Sequence, residues 1–444
     1  MPLTLAVIST SRIVDEFLAN TAAMPEISVQ ALCCRPQSRP KAEAWAAQYG
    51  IPAVYTDEDA CYAAGGFDAV YIGTANHLHY ATAKRALNAG YHVILEKPFV
   101  STAAEARELF ALADAKGLVL FEAITIPYMP QFAFLQQQTA KLGPISAASA
   151  VFCSHSRLYD DYCRGIVHPV FDPACQGGAL GDMNVYCLHL LVGLLGMPKA
   201  AEYRPVRGEN GIDVAGLALL DYGRFTATAL AAKDSNSRNG MVLQGPGGYL
   251  VVDGNPNSLP AVYSLLGAQR DDCVRTDGPA APRHRMAYEF AEFARIIATH
   301  DTAAETAARL RTMHVMELLE LLRPYQLQIL LRHKAALAGH GVDQPLGLQF
   351  VIGPLGGDDG YFQVLGQPTD GGQRVPRRQS AGEDLGLDLP ADLIVDRLAA
   401  VVSDNEFHGS PPFVLYIHSI YSWREMSRGI FKIFRGRFRG SVVY

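Results

Sequence analysis

The sequence predicts an α/β domain followed by an α+β domain, and three observations carry that expectation. Over residues 1–122, short apolar runs rich in β-branched residues alternate with helix-like segments, the pattern of a parallel sheet with crossover helices. Over residues 123–336, strand-like runs follow one another without regular helices between them, which implies a mostly antiparallel sheet. The third observation is the run Tyr91-His92-Val93-Ile94-Leu95-Glu96-Lys97-Pro98. It reads as a buried parallel strand that stops abruptly at its carboxyl end, where an open α/β sheet places its ligand crevice. A lysine is costly there unless it has a partner or a task.

Composition narrows the class. At 444 residues the chain exceeds one typical domain. A hydrophobic content of 49% and a charged content of 18% describe a globular protein able to bury a core. A net charge of −6 without a basic bias argues against a nucleic-acid partner. The eight cysteines form neither a C-x-x-C pair nor a Cys/His cluster with zinc spacing, so reduced thiols and no metal are expected. The N-terminus lacks a charged leader, and no apolar run reaches the ~18 residues of a membrane span. A cytoplasmic protein without a transmembrane segment is the expectation.

The elements follow in order. Leu3–Ile8 is a buried strand; Ser9-Thr10-Ser11-Arg12-Ile13-Val14 is a turn, and a helix runs to about Ala22. Strand, tight turn and helix open a dinucleotide-binding unit, with the helix N-terminus cradling the pyrophosphate. The glycine fingerprint G-x-G-x-x-G/A reads S-x-S-x-x-V here, with Ser9 at the first glycine position. The second strand, Ile27 to Cys33, ends in Cys34-Arg35, and no acid occurs between Glu26 and Glu43. An arginine there suits the 2′-phosphate, so NADP(H) is favoured, with NAD(H) possible. Ala42–Tyr49 reads as helix and Phe67–Ile72 as strand. Thr74, Ala75, Asn76 and His79 then lie at the sheet's carboxyl edge, within reach of a cofactor. A helix closes at Ala89-Gly90, with glycine in the C′ position. After Glu96-Lys97-Pro98, Thr102 and Glu105 form a capping box; a helix runs to about Lys116, and the strand Leu118–Phe121 leads into Glu122.

In the second half, Ala147–Phe152, Gly216–Leu220, Phe225–Ala231 and Tyr249–Val252 read as strands. Gly177–Gly196, Arg285–Ala298 and Ala303–Leu322 read as helices. The first of these is apolar except for Asp182, Tyr186 and His189, whose i, i+4, i+7 spacing puts them on one face. Such a stripe either meets water or lines a cavity, and the apolar neighbours all round favour the cavity. Arg157 and Tyr159, in the polar loop Ser154 to Asp160, are further candidate substrate contacts, as are His189 and Glu122. Between Gly341 and Pro390, Gly and Pro make up 16 of 50 residues, against 66 of 444 overall, a composition typical of poorly ordered chain. A short helical run, Ala391 to Val402, follows. The end, Trp423 to Arg439, is basic and amphipathic, a pattern that fits an anionic membrane surface or a partner and equally an unstructured extension.

With these residues in place the chain resembles the Gfo/Idh/MocA oxidoreductase family over roughly residues 3–336. The carriers are Thr10-Ser11-Arg12-Ile13, Ala75-Asn76-His77-Leu78-His79, Glu96-Lys97-Pro98, and Gly177-Gly178-Ala179-Leu180-Gly181-Asp182 with Tyr186. Tyrosine at that last position is similar to the dihydrodiol dehydrogenase and glucose–fructose oxidoreductase branch. The resemblance implies a Rossmann domain over 1–122, and an open-faced sheet domain over 123–336 that often dimerises. It also implies NAD(P) and proton transfer by Lys97 and Tyr186 with Asp182 assisting. The substrate expected is a sugar, polyol or cyclic diol. Cofactor contacts would come from Ser9, Thr10, Ser11, Arg12, Ile13, Cys34, Arg35, Thr74, Ala75, Asn76, His79, Glu96 and Lys97. The family's aromatic and arginine after Glu122-Ala123 are replaced by Thr125 and Pro127. A phenol near pKa ~10 needs a nearby cation to serve as a base, and Lys97 would supply it. The rival expectation is a non-catalytic cofactor sensor or scaffold of the same fold, and the extension over 337–444 has no counterpart in the family.

Overall fold

Residues 1–323 apart from 268, 270 and 271, with the short strands Leu348–Phe350 and Val364–Gly366, are described by a computed structural model. The chain divides into two compact units, Met1–Gln328 and Ile329–Tyr444. In the second, the two short strands pair antiparallel. The Gly/Pro-rich stretch, the run Ala391 to Val402 and the basic end lie outside the described residues.

The first sheet has six strands: β1 (Leu3–Ile8), β2 (Ile27–Cys33), β3 (Ala53–Tyr55), β4 (Ala69–Ile72), β5 (His92–Glu96) and β6 (Leu120–Ala123). Their order is β3-β2-β1-β4-β5-β6, all parallel. The order reverses between β1 and β4, and ligands bind open α/β sheets at the carboxyl ends beside such a reversal. Helices α1 (Arg12–Asn20), α2 (Arg39–Tyr49), α3 (Glu58–Ala64), α4 (His79–Asn88) and α5 (Ala103–Lys116) cross over between strands. The expected capping box opens α5: the Thr102 hydroxyl accepts from Glu105 N, and the Glu105 carboxylate accepts from Thr102 N. Gly90 takes a φ of +93° just past α4, as its C′ position requires. β3 and α3, with three and seven residues, have too little periodicity to be read from sequence.

Val70, Ile72, Val93 and Leu95 pack one face of this sheet against Ala83, Leu87, Leu109 and Phe110 of α4 and α5. The other face, with Leu5, Val7, Tyr71 and Ile94, packs against Phe17 of α1 and against Phe290 and Phe293. The last two belong to α9 (Arg285–Thr299), which comes from the far end of the unit.

The second sheet has eight strands in the order β14-β13-β12-β11-β7-β10-β9-β8. They are β7 (Ala147–Cys153), β8 (Ala200–Arg207), β9 (Asp213–Asp221), β10 (Thr226–Ala232), β11 (Gly240–Gly245), β12 (Gly248–Asp253), β13 (Ala261–Leu266) and β14 (Val274–Asp277). Only β7 and β10 pair parallel. Four strands match the expected runs; β8 and β14 at the edges, β13 beside β14, and the short central β11, which begins and ends in glycine, escaped the sequence reading. So did α6 (Pro130–Thr139) and α7 (Arg157–Cys163). Against the inner face lies a π-turn, Leu180–Asn184, running into α8 (Val185–Leu195), and α10 (Thr302–Leu322) packs on α8. The run Pro173–Leu195 is long and apolar enough to cross a membrane, but 72% of its most apolar window is buried here, as for a core helix.

Candidate active site

The site assembles where β5 ends. Lys97 follows the strand and precedes a cis Lys97–Pro98 peptide. His79, fully buried, braces this turn: Nδ1 lies 2.9 Å from Pro98 O and 3.2 Å from Phe99 O, while Nε2 lies 3.1 Å from Thr74 O. The Lys97 ammonium projects away from the sheet and donates to Asp182 Oδ1 at 2.8 Å and to the Asp182 carbonyl at 3.0 Å. It also stands 5.0 Å from the centre of the Tyr186 ring.

Asp182 sits in the π-turn, and the glycines before it explain how that turn is held. Gly178 has a φ of +107°, and a Cβ there would lie 1.9 Å from Asp213 Oδ1. The close approach lets the buried Asp213 carboxylate accept from Leu180 N at 2.7 Å and from the Tyr203 hydroxyl at 2.8 Å. A second lysine completes the arrangement. Lys233, one residue past β10, is 2% exposed and donates to Asp182 Oδ2 at 2.7 Å and to Val170 O at 2.8 Å. Sequence reasoning passed over it, because a lysine after an alanine-rich strand reads as a strand end in solvent.

Charges follow from this geometry. Burial alone would raise the Asp182 carboxyl, but Lys233 and Lys97 hold it well below the usual carboxylate range. Burial opposes the Lys97 charge, yet Asp182 outweighs it and the ammonium persists above the ordinary lysine range. For Tyr186 burial wins: it pushes the phenol up, although Lys97 and Arg285 pull the other way. The sequence expectation of a cation-favoured phenolate is thus corrected. Lys97 stands where expected, but desolvation dominates and holds the phenol above the ordinary tyrosine range. Among the described residues nothing hydrogen-bonds its hydroxyl.

At the other side of the crevice, the β1–α1 turn fits a dinucleotide phosphate. Ser11 is the N-cap of α1, but its hydroxyl donates to Gly73 O at 2.6 Å instead of capping the helix. The first N–H groups of α1 therefore have no side-chain cap and suit an anion. Gly73 lets β4 end close to this turn, since a Cβ there would lie 2.7 Å from Val14 Cγ2. Ser9 adopts a φ of +111°, a glycine-type conformation, with its hydroxyl accepting from Ser11 N at 3.1 Å. Thr10 and Ile13 are half-buried beside it, and Arg12 is exposed. Cys34 is buried, whereas Arg35 is exposed just past β2. Lys41, not anticipated, places its ammonium 2.9 Å from Thr10 O. Asn76, after β4, donates to Gln176 O at 2.9 Å, and Thr74 and Ala75 are half-buried beside it.

Several expected contacts are placed elsewhere. His79 has both ring nitrogens against backbone carbonyls and braces the site from behind. The Glu96 side chain is buried and accepts from the Tyr71 hydroxyl at 2.7 Å, on the sheet face packed by α9. Glu122 and His189 meet, with Nε2 3.3 Å from Oε2, but both are buried, and Glu122 also accepts from the Thr312 hydroxyl at 2.9 Å. Neither faces the crevice that Lys97 and Asp182 line. The expected stripe divides after Tyr186: Asp182 and Tyr186 both meet Lys97, whereas His189, one turn further along α8, meets Glu122 in the core. Arg157 is exposed on α7, and Tyr159 packs 5.8 Å from Phe171, whose ring lies 4.6 Å from the Lys233 ammonium.

A parallel sheet of this order, an uncapped β1–α1 turn and a lysine–aspartate–tyrosine set facing an open second sheet define a two-domain dinucleotide-dependent oxidoreductase. The chain belongs to the Gfo/Idh/MocA oxidoreductase family. Residues 3–124 match its "Oxidoreductase family, NAD-binding Rossmann fold". Among its relatives is scyllo-inositol 2-dehydrogenase (NADP(+)) IolU of Bacillus subtilis, 31% identical over 317 residues, which are 71% of this chain and 94% of the relative. Trans-1,2-dihydrobenzene-1,2-diol dehydrogenase of Oryctolagus cuniculus is 30% identical over 240 residues, 52% of this chain and 70% of that enzyme. The fold is shared with KijD10, a 3-ketoreductase from Actinomadura kijaniata solved with NADP and TDP-benzene. That structure has a TM-score of 0.64 and 23% identity, covering 73% of this chain and 97% of its own.

Proposed function

We propose that this protein catalyses reversible hydride transfer between NADP(H) and a hydroxyl or carbonyl carbon of a sugar, polyol or cyclic diol. The observation that carries it is the contact of Lys97 with both Asp182 and the Tyr186 ring at the sheet's carboxyl edge. A bound nicotinamide supplies the hydride acceptor or donor. The chain's own residues place the carbon and move one proton. Tyr186, neutral at pH 7, gives its proton to a carbonyl oxygen in reduction and takes it back in oxidation. Lys97 orients that oxygen and stabilises negative charge on it, and Asp182 fixes the lysine. Arg35, exposed past β2 in a stretch with no acid between Glu26 and Glu43, supports a preference for the 2′-phosphate of NADP(H). Arg157, exposed on α7, and Tyr159, packed on the Phe171 ring that covers Lys233, support recognition of substrate hydroxyls. The relatives' names support the substrate class: scyllo-inositol for one, a dihydrobenzenediol for the other.

The outward face of the second sheet carries exposed Val206, Val242 and Tyr249 beside Val151 and Leu230. It supports a homodimer, for which light scattering is expected to give twice 48.1 kDa and for which a mass of 48.1 kDa would refute the reading.

Titration with NADPH and NADH, followed by nicotinamide fluorescence, tests the cofactor. Much tighter NADPH binding, lost in Arg35→Ala without change for NADH, is expected; equal binding of both refutes the preference. Tyr186→Phe is expected to reduce turnover about 10²–10⁴-fold while NADPH still binds.

A further inference from the structure

We propose that Lys233 is a positioning residue that shares the Asp182 carboxylate with Lys97 and so leaves the Lys97 charge uncompensated beside Tyr186. The inference rests on the reading of Lys97, Asp182 and Tyr186 as the reacting set. With Lys97 alone, Asp182 would form a neutral pair, and the ammonium could do little for a developing alkoxide. In the structure one carboxylate lies between two ammonium groups, Oδ1 to Lys97 at 2.8 Å and Oδ2 to Lys233 at 2.7 Å, so these three groups together carry a net positive charge. Lys233 itself is sealed, at 2% side-chain exposure, under the ring of Phe171, whereas Asp182 keeps 29%. It therefore reaches substrate only through Asp182. A buried lysine without a task is costly, and this one has spent its other contact on a loop carbonyl, that of Val170.

The backbone of Lys233 extends the connection. Its N–H donates to Val214 O at 2.8 Å, and its carbonyl accepts from Ser156 N at 2.8 Å. Ser156 caps α7, which carries Arg157 and Tyr159. One residue thus ties the second sheet, the loop at Val170 and Phe171, and the start of α7 to the carboxylate that holds Lys97. The other charged groups around these side chains are few. Arg285, from α9, adds to Lys97 in favouring the Tyr186 phenolate, while Glu96 and Asp182 oppose it. Asp213, from β9, faces Lys233.

The test is a titration of Tyr186 in the full chain labelled with 13C at tyrosine Cζ, the resonance being identified by its loss in Tyr186→Phe. Lys233→Met is expected to raise the Tyr186 midpoint by about one pH unit or more, because Asp182 then neutralises Lys97. Lys233→Arg is expected to restore most of it. The double variant Asp182→Asn/Lys233→Met is expected to bring the midpoint back to or below the wild-type value. A midpoint unmoved in a folded Lys233→Met, or moved equally by Met and Arg, overturns the proposal. Should Lys233→Met fail to fold, Asp182→Asn decides: freeing both ammonium groups must lower the midpoint, and an unchanged or raised one overturns the inference. Absence of turnover on sugars, polyols and diols would refute the catalytic reading while leaving this titration to stand or fall by itself.

Discussion

Tyr186 shows how one side chain's surroundings set its protonation. Burial raises its phenol above the ordinary tyrosine range, so the proton-donating form persists through neutral pH and beyond. Carbonyl reduction should hold its rate until the pH passes the raised phenol value and then fall. Alcohol oxidation, which needs the phenolate, should climb steadily through the alkaline range. Initial rates in both directions across pH check this; an oxidation rate that levels off near neutrality would contradict it. Ser9 makes a separate residue-scale case. Its φ of +111° costs a non-glycine residue on the order of 1–3 kcal/mol. Against that stands one hydrogen bond from Ser11 N, worth about 1 kcal/mol. Ser9→Gly should therefore stabilise the protein by about 1 kcal/mol, read as a higher urea midpoint. The missing fingerprint glycine was legible in the sequence, but the conformation it leaves the serine in was not.

At the scale of elements, the β4–α1 junction is the tightest joint near the cofactor turn. A methyl at Gly73 would press on the buried, β-branched Val14 at 2.7 Å and on Ile13 at 3.3 Å. Gly73→Ala should cost about 1–3 kcal/mol and weaken NADPH binding together, since relief requires α1 to move. Stability without loss of affinity, or the reverse, would show that the helix is not the common cause. The elements also show what a sequence can carry. The β5 strand and its lysine were legible because an apolar run stopped abruptly at three chemically distinct residues. The capping box of α5 was legible because both partners lie within four positions. Glu122 and His189 were misplaced because they answer each other across the core, from β6 and α8, 67 positions apart in the chain. Lys233 was invisible because its partners lie 51 and 63 positions away.

Across the whole molecule, the two sheets do not correspond to two separate cores. β6 closes the first sheet at Ala123, near the expected boundary at residue 122, yet α9 returns from residue 285 to cover that sheet's open face. Phe290 lies 4.6 Å from Phe17 and 5.2 Å from Tyr71, ring centre to ring centre. Phe290→Ala should cost about 3–5 kcal/mol, and a fragment of residues 1–122 alone should fail to show a cooperative melt. A stable, cooperatively melting fragment would mean that α9 is dispensable to the first sheet.

That late return sets a timetable for the ribosome. The sheet's last strand emerges long before the helix that shields it, and at roughly 5–20 residues per second the gap is on the order of 10–30 s. For that interval Val7, Tyr71 and Ile94 stand with part of their cover still unsynthesised. The nascent chain is then a natural client for whatever binds exposed apolar surface in the cell, until the codons for Phe290 and Phe293 have been read.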